Sequence, residues 1–177
     1  AAYDVVLVET TGVGQSETDV EHVADSVVLV VQPASGDVLQ FIKAGILEIP
    51  DVLCVNKADL GAIAERALAE LRAALSVSAE ASGLSGSPPV LSTSATRDMG
   101  VAELLAVLDE RFADLGESGA LAERRVKKTA AWALRLFVHR YGEHGLDARG
   151  GKDALQSELE RRVAGGATAL EALLGLG

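Results

Sequence analysis

The chain of 177 residues carries 16 Lys and Arg against 26 Asp and Glu, a formal net charge of -10, and is 49% hydrophobic but only 3% aromatic. This acidic balance excludes a nucleic-acid partner, whose phosphate backbone needs a basic footprint. No apolar run reaches the length of a membrane span, and the lone cysteine, Cys54, rules out a disulfide within the chain.

With so few aromatics, a core must be built from Val, Leu, Ile and Ala, as in a parallel sheet buried on both faces. Four short segments rich in Val and Leu are predicted as buried strands: Val5 to Glu9, Val27 to Gln32, Val52 to Asn56 and Val90 to Thr93. Helical spacing falls between and after them, over Val38 to Glu48, Ala62 to Ser78 and Val101 to Phe112, the last with Leu104, Leu105, Leu108 and Phe112 on one face. Alternating strands and helices imply parallel crossovers and a layered α/β domain, with ligands at the carboxyl ends of the strands. The chain begins at Ala1, not at a methionine, and enters an apolar segment almost at once, which is how a part of a longer protein reads.

After Gly116-Glu117-Ser118-Gly119 the character changes. Residues 1–119 hold 6 Lys and Arg against 19 Asp and Glu, whereas residues 120–177 hold 10 against 7. A boundary there divides the chain into 1–116 and 120–177. The second part is predicted all-helical: Leu121 to Tyr141, Asp153 to Ala164 and Thr168 to Leu174. Trp132, Leu136 and Phe137 are large apolar residues on its first helix, available for packing or for a second subunit. Cys54 sits inside Val52-Leu53-Cys54-Val55, where a small buried residue is wanted, and a single inert thiol fits a reducing cytoplasmic setting.

The chemistry is concentrated at strand ends. Asn56-Lys57-Ala58-Asp59 has the form N-K-x-D: a carboxylate at Asp59 can accept from the N1 and N2 donors of guanine, which adenine lacks, while the Lys57 stem covers the ring and Asn56 tethers neighbouring loops. Ser94-Ala95 ends the next strand, and the Ala95 N–H is expected to approach guanine O6. Upstream, Glu9 closes an apolar strand and opens Thr10-Thr11-Gly12-Val13-Gly14. That places Glu9 as the magnesium-shell candidate, acting through water, and the Gly12 N–H as the group facing a terminal phosphate. His22, His139 and His144 have no ligand spacing, so no other metal is expected.

Three blocks together, Glu9 to Glu17, Gln32 to Glu48 and Asn56 to Asp59, resemble the ArgK/MeaB family, GTPases that act as chaperones of adenosylcobalamin-dependent methylmalonyl-CoA mutase. The resemblance implies a partial P-loop GTPase domain of α/β class with a parallel sheet, followed by a helical dimerisation extension. It implies GTP or GDP with Mg2+ as ligands, a methylmalonyl-CoA mutase or related acyl-CoA mutase as partner, and a homodimer. It also implies that Asp37, Gln40 and Lys43 lie on a third switch loop, with Lys43 near nucleotide or Glu9. One departure stands out: no G-x-x-x-x-G-K-[ST] occurs in these residues. Gly145 to Asp153 only mimics it, with one glycine too many, a terminal Asp and a helix before it. Turnover therefore cannot be assigned to these residues alone, and a non-catalytic dimerising interaction fragment is the alternative.

Overall fold

A computed structural model of the chain describes residues 3–10, 20–33, 49–82 and 87–176. In chain order these form α1 (Val20–Val23), β1 (Val28–Val31), β2 (Val52–Val55), a 3-10 turn (Ala58–Leu60), α2 (Ala62–Ser82), β3 (Val90–Ser92), α3 (Val101–Glu117), α4 (Ala120–Ala148), α5 (Lys152–Ala164) and α6 (Ala169–Leu174). They divide into two compact units, Ser26–Asp114 and Ala1–Asp25 with Leu115–Gly177. Gly12, Asp37, Gln40, Lys43 and the expected helix Val38 to Glu48 lie outside the described residues.

The first of these units is a three-stranded parallel sheet in the order β1-β2-β3. Val28 stands opposite Val52, and Leu53 opposite Val90. All four residues of β2 are buried, as its central place requires. Alternation along the strands sends Val31, Leu53 and Val55 to one face, where Ala67, Leu71 and Leu75 of α2 close over them. Asp51 pins the start of the sheet: its Oδ2 accepts from the Val27 N–H at 3.0 Å, its own N–H donates to the Val27 carbonyl at 2.9 Å, and its Oδ1 pairs with Arg111 of α3.

The expected strand Val5 to Glu9 does not form. The segment is unpaired among the described residues, and its apolar side chains are open to solvent, Leu7 at 92% and Val5 at 76%. Apolar character makes a segment fit for a sheet, but a strand exists only where a neighbour takes its N–H and carbonyl groups. The spacing of α3 also promises more burial than it obtains, since Leu105 and Phe112 remain more than half exposed.

In the second unit, α4, α5 and α6 enclose a core of their own around Ala130, Ala133, Leu134, Phe137, Leu146, Leu155 and Leu159. Phe137 thus packs inward, its ring 4.7 Å from that of Tyr141, while Leu136 stays 38% exposed. The expected helix end at Tyr141 is a kink: Gly142 takes φ 62° and ψ -165°, after which the helix resumes to Ala148. Thr168 and Glu171 cap α6 reciprocally, each side chain accepting from the other's backbone N–H. Asp25, just after α1, accepts from the Arg125 guanidinium at 2.8 and 2.5 Å, a pairing that holds its carboxyl below the usual range. No described helix is long and apolar enough to cross a membrane.

The Asp51 clamp has a measurable consequence. Asp51→Ala is expected to destabilise the protein by about 2–4 kcal/mol in chemical denaturation, because it strips a half-buried guanidinium and a strand N–H of their acceptor at once. Asp51→Asn, which keeps the acceptor, is expected to cost less. Equal stability of wild type and Asp51→Ala would make the clamp incidental.

Candidate functional site

Both carboxyl ends of β2 and β3 turn into short loops that are tied to each other through backbone. The Thr93 N–H donates to the Val55 carbonyl at 2.9 Å, and the Ala58 N–H to the Thr93 carbonyl at 2.8 Å. Between these bonds Lys57 adopts the left-handed conformation, φ 60° and ψ 41°, which reverses the chain into the turn Ala58–Leu60. On the other loop, Ser94 and Met99 exchange N–H and carbonyl bonds of 2.8 and 3.1 Å. Gly100 follows with φ 69°, and a Cβ there would overlap the Ser92 carbonyl oxygen, so only glycine lets this loop close onto the strand.

These turns bring five expected residues together: Asn56, Lys57, Asp59, Ser94 and Ala95. The Ser94 hydroxyl, fully buried, donates to Asp59 Oδ1 at 2.5 Å. Having spent its only proton, Ser94 accepts from the Thr96 hydroxyl at 3.2 Å. Asn56 Oδ1 accepts from the Thr93 hydroxyl at 3.3 Å and from the Ala95 N–H at 3.4 Å. The Ala95 N–H, expected to face a base carbonyl, is thus directed at Asn56. Lys57 Nζ donates to Gln32 Oε1 at 2.8 Å, so the lysine stem runs from this loop toward the end of β1.

Electrostatically the site is built around one ionised acid. The Ser94 hydroxyl, above all, holds the Asp59 carboxyl below its ordinary range; desolvation opposes this, while its own N–H and the charges of Arg97 and Lys57 assist. Burial pushes the Cys54 thiol up, against a smaller opposite pull from Thr93, so it stands as a thiol at neutral pH.

Glu9 falls in the exposed, unpaired segment of the other unit. Among the described residues no group of three or more His, Cys, Asp or Glu converges to hold an ion. Sequence reasoning also passed over Thr93, Gln32 and Gly100, and took Cys54 only as packing. Thr93 closed the expected strand Val90 to Thr93, but its partner is 37 residues away and emerges only from strand pairing.

A parallel sheet with helices, carrying N-K-x-D and Ser-Ala loops side by side at its carboxyl end, is the architecture of the P-loop GTPase-like α/β proteins. The profile of the methylmalonyl Co-A mutase-associated GTPase MeaB family matches residues 1–147, and the chain belongs to that family. It is 46% identical over 123 residues to a putative GTPase of Pyrococcus horikoshii, covering 69% of this chain and 38% of that protein. A probable GTPase of Mycobacterium tuberculosis is 38% identical over 171 residues, or 94% of this chain and 49% of the relative. A mitochondrial methylmalonic aciduria type A homolog of Caenorhabditis elegans is 40% identical over 134 residues, 75% of this chain and 33% of that protein. The crystal structure of a LAO/AO transport system kinase superposes with a TM-score of 0.64 at 29% identity, over 83% of this chain and 47% of that one. The chain therefore spans half or less of the length of these relatives.

The Ser94–Asp59 bond predicts a titration. Ser94→Ala is expected to move the Asp59 midpoint upward, toward that of an ordinary aspartate, in a carboxyl NMR titration. The sign follows from the lowered folded pKa: the stabilisation is present above the unfolded pKa and lost as pH falls through the folded one, so removing its cause raises the pH of protonation. An unmoved midpoint would assign the shift to Arg97 and Lys57 instead.

Proposed function

We propose that this chain supplies the guanine-reading part of a GTPase that chaperones methylmalonyl-CoA mutase, or a related adenosylcobalamin-dependent acyl-CoA mutase, gating the loading of its cobalamin cofactor and protecting it. The observation that carries the proposal is the Ser94–Asp59 pair beside Asn56 and Ala95 at the carboxyl ends of β2 and β3. A carboxylate offers about four lone-pair sites. Ser94 occupies one, which leaves Asp59 able to accept from both N1–H and the 2-amino group of guanine. Adenine, with an acceptor at N1 and no 2-amino group, is refused by the same carboxylate. The Lys57 stem, anchored at Gln32, forms a lid for one ring face, and the Ala95 N–H, held by only a long bond at 3.4 Å, can turn to or share with the base O6.

Other roles rest on motif and family. Glu9 and Gly12 belong to the magnesium and terminal-phosphate side of GTP or GDP, and Asp37, Gln40 and Lys43 to the switch that reports nucleotide state to the mutase. Residues 1–116 act as the later part of the nucleotide-binding domain, and 120–177 as the dimerising extension of a homodimer working in the cytoplasm. Leu136, Tyr141, Leu170 and Leu174 are exposed apolar residues of the helical unit and suit such an interface.

The test uses the intact protein and its nucleotides. It is expected to bind GDP and GTP but not ATP in calorimetry, with hydrolysis stimulated by the mutase. Asp59→Asn is expected to cost about 1.5–3 kcal/mol of GDP affinity, because a charge-assisted acceptor is replaced by a group that presents a mismatched donor. Equal affinity for ATP and GTP, or an Asp59→Asn variant that binds GDP as tightly as wild type, would remove these loops from base recognition.

A further inference from the structure

The chain that carries Glu9 runs on through Glu17 into α1, a single turn of four residues. A helix this short has no stability of its own, since fixing the first turn costs more backbone entropy than one hydrogen bond offsets. None of its residues is fully buried, so apolar packing restrains it only weakly. The stronger hold comes from α4. The Ala24 N–H closes the turn on the Val20 carbonyl at 3.0 Å, and the Ala24 carbonyl, beyond the reach of intrahelical donors, accepts from Lys128 Nζ at 2.6 Å.

The next residue is gripped by its side chain. Both carboxylate oxygens of Asp25 accept from Arg125, one from Nε at 2.8 Å and one from a terminal nitrogen at 2.5 Å. Two such bonds fix the plane of the carboxylate as well as its distance, which a single lysine bond does not. Arg125 and Lys128 are three residues apart on a helix and so share a face of α4. The opposite end of the segment has no comparable hold, because Val5 to Val8 is exposed and unpaired among the described residues. Among those residues, then, the Glu9 segment is tethered at its far end alone, and the tether belongs to the helical unit, not to the base-reading sheet.

We propose that Arg125 and Lys128 are positioning residues for the terminal phosphate of the nucleotide: by fixing Ala24 and Asp25 they limit the excursions of the chain that brings Glu9 and Gly12 to that phosphate. Neither touches the nucleotide. A segment held close to its ligand loses less freedom on binding, so slackening the tether weakens a ligand that has the terminal phosphate and spares one that lacks it. This inference rests on the guanine-nucleotide reading above and on the place it gives Glu9 and Gly12, and it adds a share in phosphate recognition for the helical extension.

The experiment compares GDP with the non-hydrolysable GTP analogue guanylyl imidodiphosphate, by calorimetry on the intact protein with Mg2+. Arg125→Ala is expected to weaken the analogue about 5-fold while leaving GDP within about 2-fold of wild type. Arg125→Lys, which keeps the charge and loses the fork, is expected to fall between wild type and Arg125→Ala. Lys127→Ala removes an ion pair with Glu123 that is confined to α4, and is expected to change neither nucleotide. Equal weakening of both nucleotides by Arg125→Ala, or weakening of neither, overturns the proposal. Hydrogen exchange in the nucleotide-free protein reads the anchor by itself. The Ala24 amide is expected to exchange faster in Arg125→Ala and in Lys128→Ala, with the Leu134 and Phe137 amides of the helical core unchanged; an Ala24 amide that exchanges as in wild type also overturns the proposal. A wild-type protein that binds neither nucleotide refutes the guanine reading and this role together. One that binds both, with Arg125→Ala indistinguishable from it, overturns the positioning role alone and leaves that reading intact.

Discussion

Everything at the candidate site depends on the parallel pairing of β2 with β3. Because the strands run in the same direction, both deliver their loops to the same end of the sheet, and two segments more than thirty residues apart in sequence become neighbours. The pairing extends beyond the strands: Thr93 donates to Val55 and accepts from Ala58, so the first residue of one loop is held between the last strand residue and the turn of the other. A one-residue slip would turn Thr93 and Ser94 to opposite faces. Full burial of β2 makes that slip costly, since Leu53 would have to leave the core against α2.

Within this frame, the polar groups have little freedom left. Ser94 and Thr93 are both buried, so each hydroxyl must find partners in the protein. A single proton per hydroxyl then imposes a direction on each chain of contacts, from Thr96 through Ser94 to Asp59 and from Cys54 through Thr93 to Asn56. The two chains end on the two side chains with the capacity to read a purine. Their preorganisation is paid in advance by folding, and a ligand meets acceptor and donor already oriented.

The strands β1, β2 and β3 were legible because short Val-rich runs followed by turn residues leave few alternatives, and the helices because their apolar spacing is long. N-K-x-D and Ser-Ala were legible as chemistry, since each letter has a use at the edge of guanine. What stayed hidden depends on register and partners. Val5 to Val8 has the composition of a strand, but no local signal tells whether a neighbouring ladder exists. Gly142 looks like a helix end and is a kink, because the core around Leu146 and Leu155 draws the chain back into a helix beyond it. Thr93 and Cys54 resemble ordinary core residues until the pairing of Cys54 with Leu91 aligns the strands. Gly100 is needed only because the loop returns onto the Ser92 carbonyl, a contact no single segment contains.

Local stability is distributed to suit this arrangement. Val30 on β1, Leu105 and Phe112 on α3, and the Val5–Val8 segment leave apolar surface in water, at roughly 25 cal/mol for each Å2 left unburied. The base-reading loops do not share that weakness. They are tied to the central strand by backbone bonds at Val55, Ala58 and Thr93, and to each other by Ser94–Asp59 and Ala95–Asn56. Among the described residues β1 is an edge strand, so fraying there would reach Gln32 before it reaches Asp59, and Lys57, whose Nζ is bound to Gln32, would feel it first. Base selectivity, set by Asp59 and Asn56, is in this way separated from the order at the end of β1, where the segment with Asp37, Gln40 and Lys43 begins.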